Sequence, residues 1–283
     1  MKAKDKLRLW LIRLWLILLL IVIVPFISLN YTNHLIKKVS AFETTPNQKN
    51  AWTPDSLDEV ATFSILGYDP ETGEVGGAVQ SRVFCVGNGV LWAEANVGAV
   101  ATQAFVDVSY GPKALELLRK GLPPEEVIKQ ILAQDPDPFP ERWPKQGRQF
   151  AVMNAKGEYA AYTGPKAPEW AGHKGGKYCT AQGNILASEK VVEAMVRAYE
   201  ETKGHLSLRL VAALEAAQAA GGDKRGMQSA ALLIVKEKSG TWLNNDVVMR
   251  LQVDDHPEPI KELRRLVEIA LKQLRPLKIK SLP

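Results

Sequence analysis

Hydrophobic and polar positions divide this chain into three stretches. From Leu7 to Leu29 nearly every side chain is apolar; Arg8 and Arg13 are the charged exceptions, and Leu14–Leu29 carries no charge. From Asn30 to Val60 the chain is polar, contains Pro46 and Pro54, and keeps no sustained period, which predicts a linker. From Thr62 onward the pattern alternates between a period of two and a period of 3.6.

The period-two stretches predict strands. Thr62–Tyr68 and Glu74–Ser81 flank Asp69-Pro70-Glu71-Thr72-Gly73, a turn by composition, and form a hairpin. Gly76, Gly77 and Ala78 are small, which suits a strand that another layer approaches closely. Val90–Ala95 and Val97–Ala104 form a second pair, and Gln149–Met153 with Glu158–Thr163 a third. Tyr178–Ala181, Ser229–Lys236 and Asp246–Val253 complete the set.

The helical stretches come mostly in pairs. Pro112 opens a helix at a good first position, Ala114, Leu115 and Leu118 make its stripe, and Gly121 caps it. Pro123 and Pro124 open the next, with Val127, Ile128, Ile131 and Leu132 on one face. Glu189–Glu201 and Leu206–Ala220 are the second pair, and Pro257–Leu274 closes the chain. Asp135–Gln146 and Gly164–Lys177 are expected to be loops. Antiparallel hairpins separated by helix pairs predict an α+β fold with two stacked sheets and helices on both outer faces, a four-layer αββα sandwich. Alternating βαβ units are absent, which argues against a doubly wound parallel sheet.

At about 1.5 Å rise per residue, Leu7–Leu29 reaches roughly 35 Å as a helix, enough to cross a bilayer if both arginines snorkel. The basic residues before it place that end in the cytoplasm. The rival reading is a cleaved signal peptide, with Val39-Ser40-Ala41 as the processing site. That site lies far beyond the apolar run, past Lys37 and Lys38, so the uncleaved anchor is favoured. Either way the globular part faces outside the cytoplasm, membrane-anchored or secreted. The expected organisation is anchor or signal over 1–30, linker over 31–60, domain over 61–275 and tail over 276–283.

The net charge of +5 sits at the N-terminal end. Residues 1–50 hold eight Lys/Arg and two Asp/Glu, which leaves −1 for the rest. A near-neutral domain has no electrostatic footprint for nucleic acid. Cys85 and Cys179 either pair with each other or stand as separate buried thiols, and the second is the expectation.

Thr62 stands at the front edge of the first strand. A Thr there can act as a nucleophile whose own α-amino group is the base. Here that amine is bound to Ala61, so chemistry requires a cut before Thr62. The bland alternative is a strand residue chosen for its β-branch. Arg82 in Ser81-Arg82 either anchors a carboxylate bidentately or lies in a surface turn. Thr102-Gln103 is a polar pair ending an apolar strand, and it must find partners if buried. Asn184, in Gln182-Gly183-Asn184 between strand and helix, either stabilises an oxyanion or caps a turn.

Asp254-Asp255-His256-Pro257 resembles metal ligands, but no second cluster at zinc spacing and no His-Glu-x-x-His accompanies it. Asp255 or Asp254 is read as a cap or loop-anchoring group before the last helix. Gly172-His173-Lys174-Gly175-Gly176-Lys177-Tyr178 lacks the residues of a phosphate loop, and no Gly-x-Ser-x-Gly occurs. No cofactor and no metal is expected.

Together these stretches resemble a bacterial family, the domain of unknown function 1028, which is placed in the N-terminal-nucleophile (Ntn) hydrolase superfamily. The resemblance is carried by Thr62-Phe63-Ser64-Ile65, Asp69-Pro70-Glu71-Thr72-Gly73, Ser81-Arg82 with Val86-Gly87, and Gly98-Ala99-Val100-Ala101-Thr102-Gln103. Tyr110-Gly111-Pro112, Trp170-Ala171-Gly172-His173, Gln182-Gly183-Asn184, Gly221-Gly222-Asp223-Lys224-Arg225-Gly226, Ser229-Ala230-Ala231-Leu232 and Val253-Asp254-Asp255-His256-Pro257 complete it. The resemblance implies the αββα sandwich and puts Thr62 at the nucleophile position. It covers about Thr62 to Leu274. This chain departs by its 61-residue extension. It also departs from proteasome-type threonine hydrolases: Gln80-Ser81-Arg82 keeps their Ser-Arg without the Asp, and no Lys lies between Glu74 and Lys113.

The candidate catalytic residues are thus Thr62, Ser81, Arg82 and Asn184. The candidate substrate-binding residues are Thr102, Gln103, His173 and Ser229. The expected function is an extracytoplasmic amide hydrolase of Ntn type, acting on a small-molecule or peptide amide. The alternative is a non-catalytic ligand-binding module on the same fold, and a metal-dependent hydrolase is third. The membrane, through the N-terminal segment, and a homo-oligomer are the remaining partners considered.

Overall fold

Strict alternation of side chains across each strand decides which residues meet in this protein. The computed structural model describes residues 62–273, which carry ten strands and six α-helices. In chain order these are β1 (Thr62–Tyr68), β2 (Val75–Ser81), the single turn α1 (Gly87–Val90), β3 (Leu91–Glu94), β4 (Gly98–Ala104), α2 (Tyr110–Arg119), α3 (Pro124–Gln134), β5 (Arg148–Asn154) and β6 (Tyr159–Thr163). There follow β7 (Gly172–Gly176), β8 (Cys179–Asn184), α4 (Lys190–Glu201), α5 (Leu206–Ala219), β9 (Ser229–Val235), β10 (Val247–Val253) and α6 (Pro259–Gln273).

Two antiparallel sheets result. The larger has the order β10-β9-β2-β1-β8-β7, the smaller β3-β4-β5-β6. In β1, Phe63 and Ile65 point to a core built with α4, α5 and α6. Leu66 points the other way, into a core shared with the smaller sheet through Ala99, Ala101, Ala151 and Met153. A third core joins Val100, Phe150 and Val152 of the smaller sheet to Ala114, Leu118, Val127 and Ile131 of α2 and α3. Helix α5 lies between α4 and α6, and this is why Leu206, Leu210, Val211, Leu214 and Ala217 are all fully buried. Truncating Leu210 to Ala costs about 2–5 kcal/mol.

The small residues of β2 have the expected reason. A Cβ on Gly77 would lie 3.2 Å from Leu91 Cδ2 of the facing sheet. Gly172–Gly176, expected as loop, is instead the edge strand β7. Its glycines admit an aromatic ring, since a Cβ on Gly175 would fall 2.2 Å from the Tyr159 hydroxyl. Strand β8 runs on to Asn184, so Gln182 and Asn184 are strand residues and not a junction. Helix α2 begins at Tyr110, two residues before Pro112, and α1 occupies the start of the segment expected as strand from Val90.

The anchor, linker and tail expectations lie outside the described residues. Among the described residues no helix is long and apolar enough to cross a membrane. Cys85 and Cys179 are free thiols; Cys179 is buried as expected, whereas Cys85 is half-exposed.

Candidate active site

The layer between the sheets is apolar at one end and polar at the other. The change occurs within single strands. In β1, Leu66 lies in the apolar part, while Ser64 and Thr62 on the same face are polar and fully buried. The register places Thr62 opposite Ser81 on β2 and opposite Asn184 on β8, and Ser64 opposite Gln182. From the smaller sheet, Gln103 at the end of β4 and Gln149 at the start of β5, paired with each other, close the cluster.

Every link is a neutral hydrogen bond. Thr62 Oγ1 donates to Ser81 Oγ at 3.0 Å. Gln103 Nε2 donates to the Thr62 carbonyl at 3.3 Å and to Gln149 Oε1 at 2.8 Å. Asn184 Nδ2 donates to Gln149 Oε1 at 3.0 Å and to the Thr62 carbonyl at 3.5 Å. Gln182 Nε2 donates to Ser64 Oγ, which donates on to Gln103 Oε1. Gln149 Nε2 lies within 3.1 Å of three oxygens, those of Thr163 Oγ1, Gly172 and Gly183. The two amide hydrogens of Gln149 serve two of these at a time. Gln149 thus ties the smaller sheet to β7 and β8 of the larger one.

Two buried acceptors are left over, Asn184 Oδ1 and Gln182 Oε1. Buried polar atoms without partners are rare in folded proteins, and each needs a reason.

Thr62, Thr102 and Gln103 also line a small cavity of about 170 Å³. Thr102 faces the opposite side of β4 from Gln103. Its hydroxyl donates to the Gly89 carbonyl at 2.7 Å and accepts from Trp92 Nε1 at 3.1 Å. Val106 forms part of the cavity wall and is pinned from behind. Trp143 Nε1 donates to its carbonyl at 2.9 Å, and Trp143 stacks on Phe105 at 4.7 Å between ring centroids. Beneath them Arg148, buried, donates from Nη1 to the carbonyls of Phe105 and Trp143 and from Nε to Asp135. Tyr110 donates to the same carboxylate oxygen. Burial alone would raise the Asp135 carboxyl, but hydrogen bonds from Tyr110 and the Asp137 backbone, with the Arg148 charge, hold it below the usual range.

The eight expected site residues do not all converge. Thr62, Ser81, Gln103 and Asn184 do, and Thr102 joins them at the cavity. Ser229 pairs with Ser81 in register, but its hydroxyl serves the chain after β2, donating to the Val83 carbonyl and accepting from the Val86 amide. Arg82 is exposed, because the residue after Ser81 turns to the opposite side. It faces a separate depression with Gln228, Asp255 and His256. His173 is exposed on the edge strand β7 and bonds Thr163 at 2.9 Å. Another depression, about 610 Å³ and lined by Asp69, Glu71, Lys177, Glu200, Lys203 and Arg209, lies at the other end of β1.

Ser64, Gln149 and Gln182 were not among the expected residues. Their signal was present: Thr62/Ser64 and Gln182/Asn184 are polar at spacing two in strands whose opposite face is apolar.

The stretch matching the family model runs from residue 62 to residue 263, beginning at the Thr that heads this cluster. The chain belongs to DUF1028, a family of unknown function. A solved DUF1028 protein from Silicibacter pomeroyi is 34% identical; the match covers 74% of this chain and 86% of that one, with a TM-score of 0.66. No curated protein matches significantly. The DUF1028 region therefore contains the whole polar end of the inter-sheet layer, with Thr62 as its first residue.

Proposed function

We propose that this DUF1028 chain is an amide hydrolase of the Ntn type, a four-layer αββα sandwich in which Thr62 becomes the nucleophile once the Ala61–Thr62 bond is cut. One observation carries the reading. Thr62, the first residue of both β1 and the family match, directs its hydroxyl into a polar cluster and holds its carbonyl in two side-chain amides.

The chemistry follows from that geometry. The Thr62 hydroxyl attacks the substrate carbonyl carbon, and its proton passes to the freed α-amino group. The tetrahedral intermediate collapses, the C–N bond breaks, and that proton goes to the leaving amine. Water then hydrolyses the Thr62 ester, releasing the acid and restoring the hydroxyl. Gln103 and Asn184 fix the Thr62 backbone, and Ser81 orients the hydroxyl. Asn184 Oδ1, opposite Thr62 and unpartnered, is the acceptor best placed for the new amine. In this reading neutral amides stand in for the Asp and Lys of proteasome-type sites, while the serine is kept as Ser81. The substrate is a small-molecule or peptide amide. The enzyme works outside the cytoplasm, tethered by its N-terminal apolar run until the cut releases it.

A second reading, a non-catalytic ligand-binding module, is favoured by one fact: Arg82, the residue suited to orient a carboxylate, faces away from Thr62.

Intact-mass measurement of the full chain and of Thr62→Ala after prolonged incubation tests the proposal. A product beginning at Thr62, absent from the variant and active on amides, supports it. An uncut wild-type chain, inactive even when synthesis starts at Thr62, overturns it in favour of the binding module.

A further inference from the structure

Beside Thr62 the polar cluster gives way to an apolar wall. The cavity shared by Thr62 and Gln103 is closed by Val83, Phe84, Val86, Val90 and Val106, and among the described residues no charged side chain lines it. Cys85, on the same wall, keeps an uncharged thiol, because burial and the nearby Asp254 push its pKa up. At about 30 Å³ per water-sized group, 170 Å³ holds roughly five or six such groups.

The rim is apolar too. Phe84 is 66% exposed and Val108 47% exposed. Val108 sits beside Gly89 of the wall, where a Cβ would meet its Cγ1 at 3.6 Å. Single exposed apolar residues need no explanation, but two on the lip of one uncharged cavity do. The large depression at the other end of β1 is lined by charged residues, so the contrast is local to Thr62.

We infer that this cavity is the subsite for a short, uncharged apolar acyl group, with Phe84 and Val108 covering whatever extends beyond it. The assignment to the acyl side rests on the hydrolase reading: the carbon attacked by Thr62 must lie at its hydroxyl, the leaving amine must stay within reach of the freed α-amino group that protonates it, and the wall is left to the acyl group. A carboxylate there would be buried without a cationic partner, so the subsite selects against acidic amides.

Cys85 provides the test. The full chain is labelled with N-ethylmaleimide at about pH 8.5, where a fraction of the raised Cys85 thiol is ionised and reacts. Cys179 is silent, since it is buried and its thiol is pushed up to about 12 by burial. Hexanamide is expected to slow Cys85 labelling at a concentration at least about tenfold lower than adipic acid monoamide, its carboxylate-ended counterpart. Val106→Asp, in a half-exposed loop position, is expected to remove that preference. Equal protection by both probes, no protection by hexanamide, or an unchanged preference in Val106→Asp overturns the inference. Protection by hexanamide in a chain that never hydrolyses an amide keeps the subsite and removes the catalytic reading. Hydrolysis confined to acidic amides, with no hexanamide protection, does the reverse.

Discussion

Thr62 and Ser81 face each other across the β1–β2 ladder with their hydroxyl oxygens 3.0 Å apart, both fully buried. A threonine placed only to fill a strand does not need a serine hydroxyl opposite it. Ser81→Ala should leave the fold nearly intact, at a cost of about 1 kcal/mol in urea unfolding. It should lower the amide turnover of the processed chain on the order of a hundredfold. Equal turnover in the two proteins would remove Ser81 from the mechanism.

Gln149 is the bridge between the sheets at this end. Gln149→Leu strips partners from Gln103 and Asn184 and leaves carbonyls facing an apolar side chain. Destabilisation of about 2–4 kcal/mol is expected in the urea midpoint. A change below about 0.5 kcal/mol would mean that the polar network holds nothing together.

Among the described residues no ionisable side chain belongs to the polar cluster, so there the freed amine of Thr62 would be the one titrating group. Its ordinary pKa is about 7.7–8.0, and burial without a carboxylate partner lowers it. The rate should climb with pH through that value and then level, a single limb. A bell-shaped profile between about pH 5 and 9 would reveal a second essential group outside the cluster.

Asp135 supplies a separate pH effect on stability. Its carboxyl titrates lower in the folded state than the roughly 3.9 of an unfolded chain. Its contribution is therefore complete above that unfolded value and disappears as pH falls through the lower folded one. The urea midpoint should drop steeply below about pH 4. Asp135→Asn should begin less stable at neutral pH and fall less over the same range. Arg148→Met should be worse still, at about 3–5 kcal/mol, because it strands a buried carboxylate.

Period and turn chemistry made the fold legible. The hairpin over Thr62–Ser81 and the helix pairs over Pro112–Ala133 and Glu189–Ala220 stand where alternation and glycine or proline punctuation put them. The edge strand β7 was hidden because Gly172–Gly176 has neither β-branched residues nor an apolar face, and only its neighbours show it to be paired. Much of the site was legible for one reason: polar residues ending apolar strands must be satisfied by one another. Gln149 was passed over because an apolar strand starting with Gln looks like a polar margin. Arg82 was misdirected by one residue of register, since the neighbour of an inward Ser81 points outward.

The unpartnered oxygens of Asn184 and Gln182 imply a direction for maturation. An uncut chain keeps two desolvated acceptors, Asn184 Oδ1 opposite Thr62 and Gln182 Oε1 opposite Ser64, and each carries a penalty of about 1–3 kcal/mol. A free amine delivers up to three donors to that spot. Cutting the chain would then raise the melting temperature of the domain instead of loosening it, and maturation would run as a ratchet whose finished state is also its most durable one.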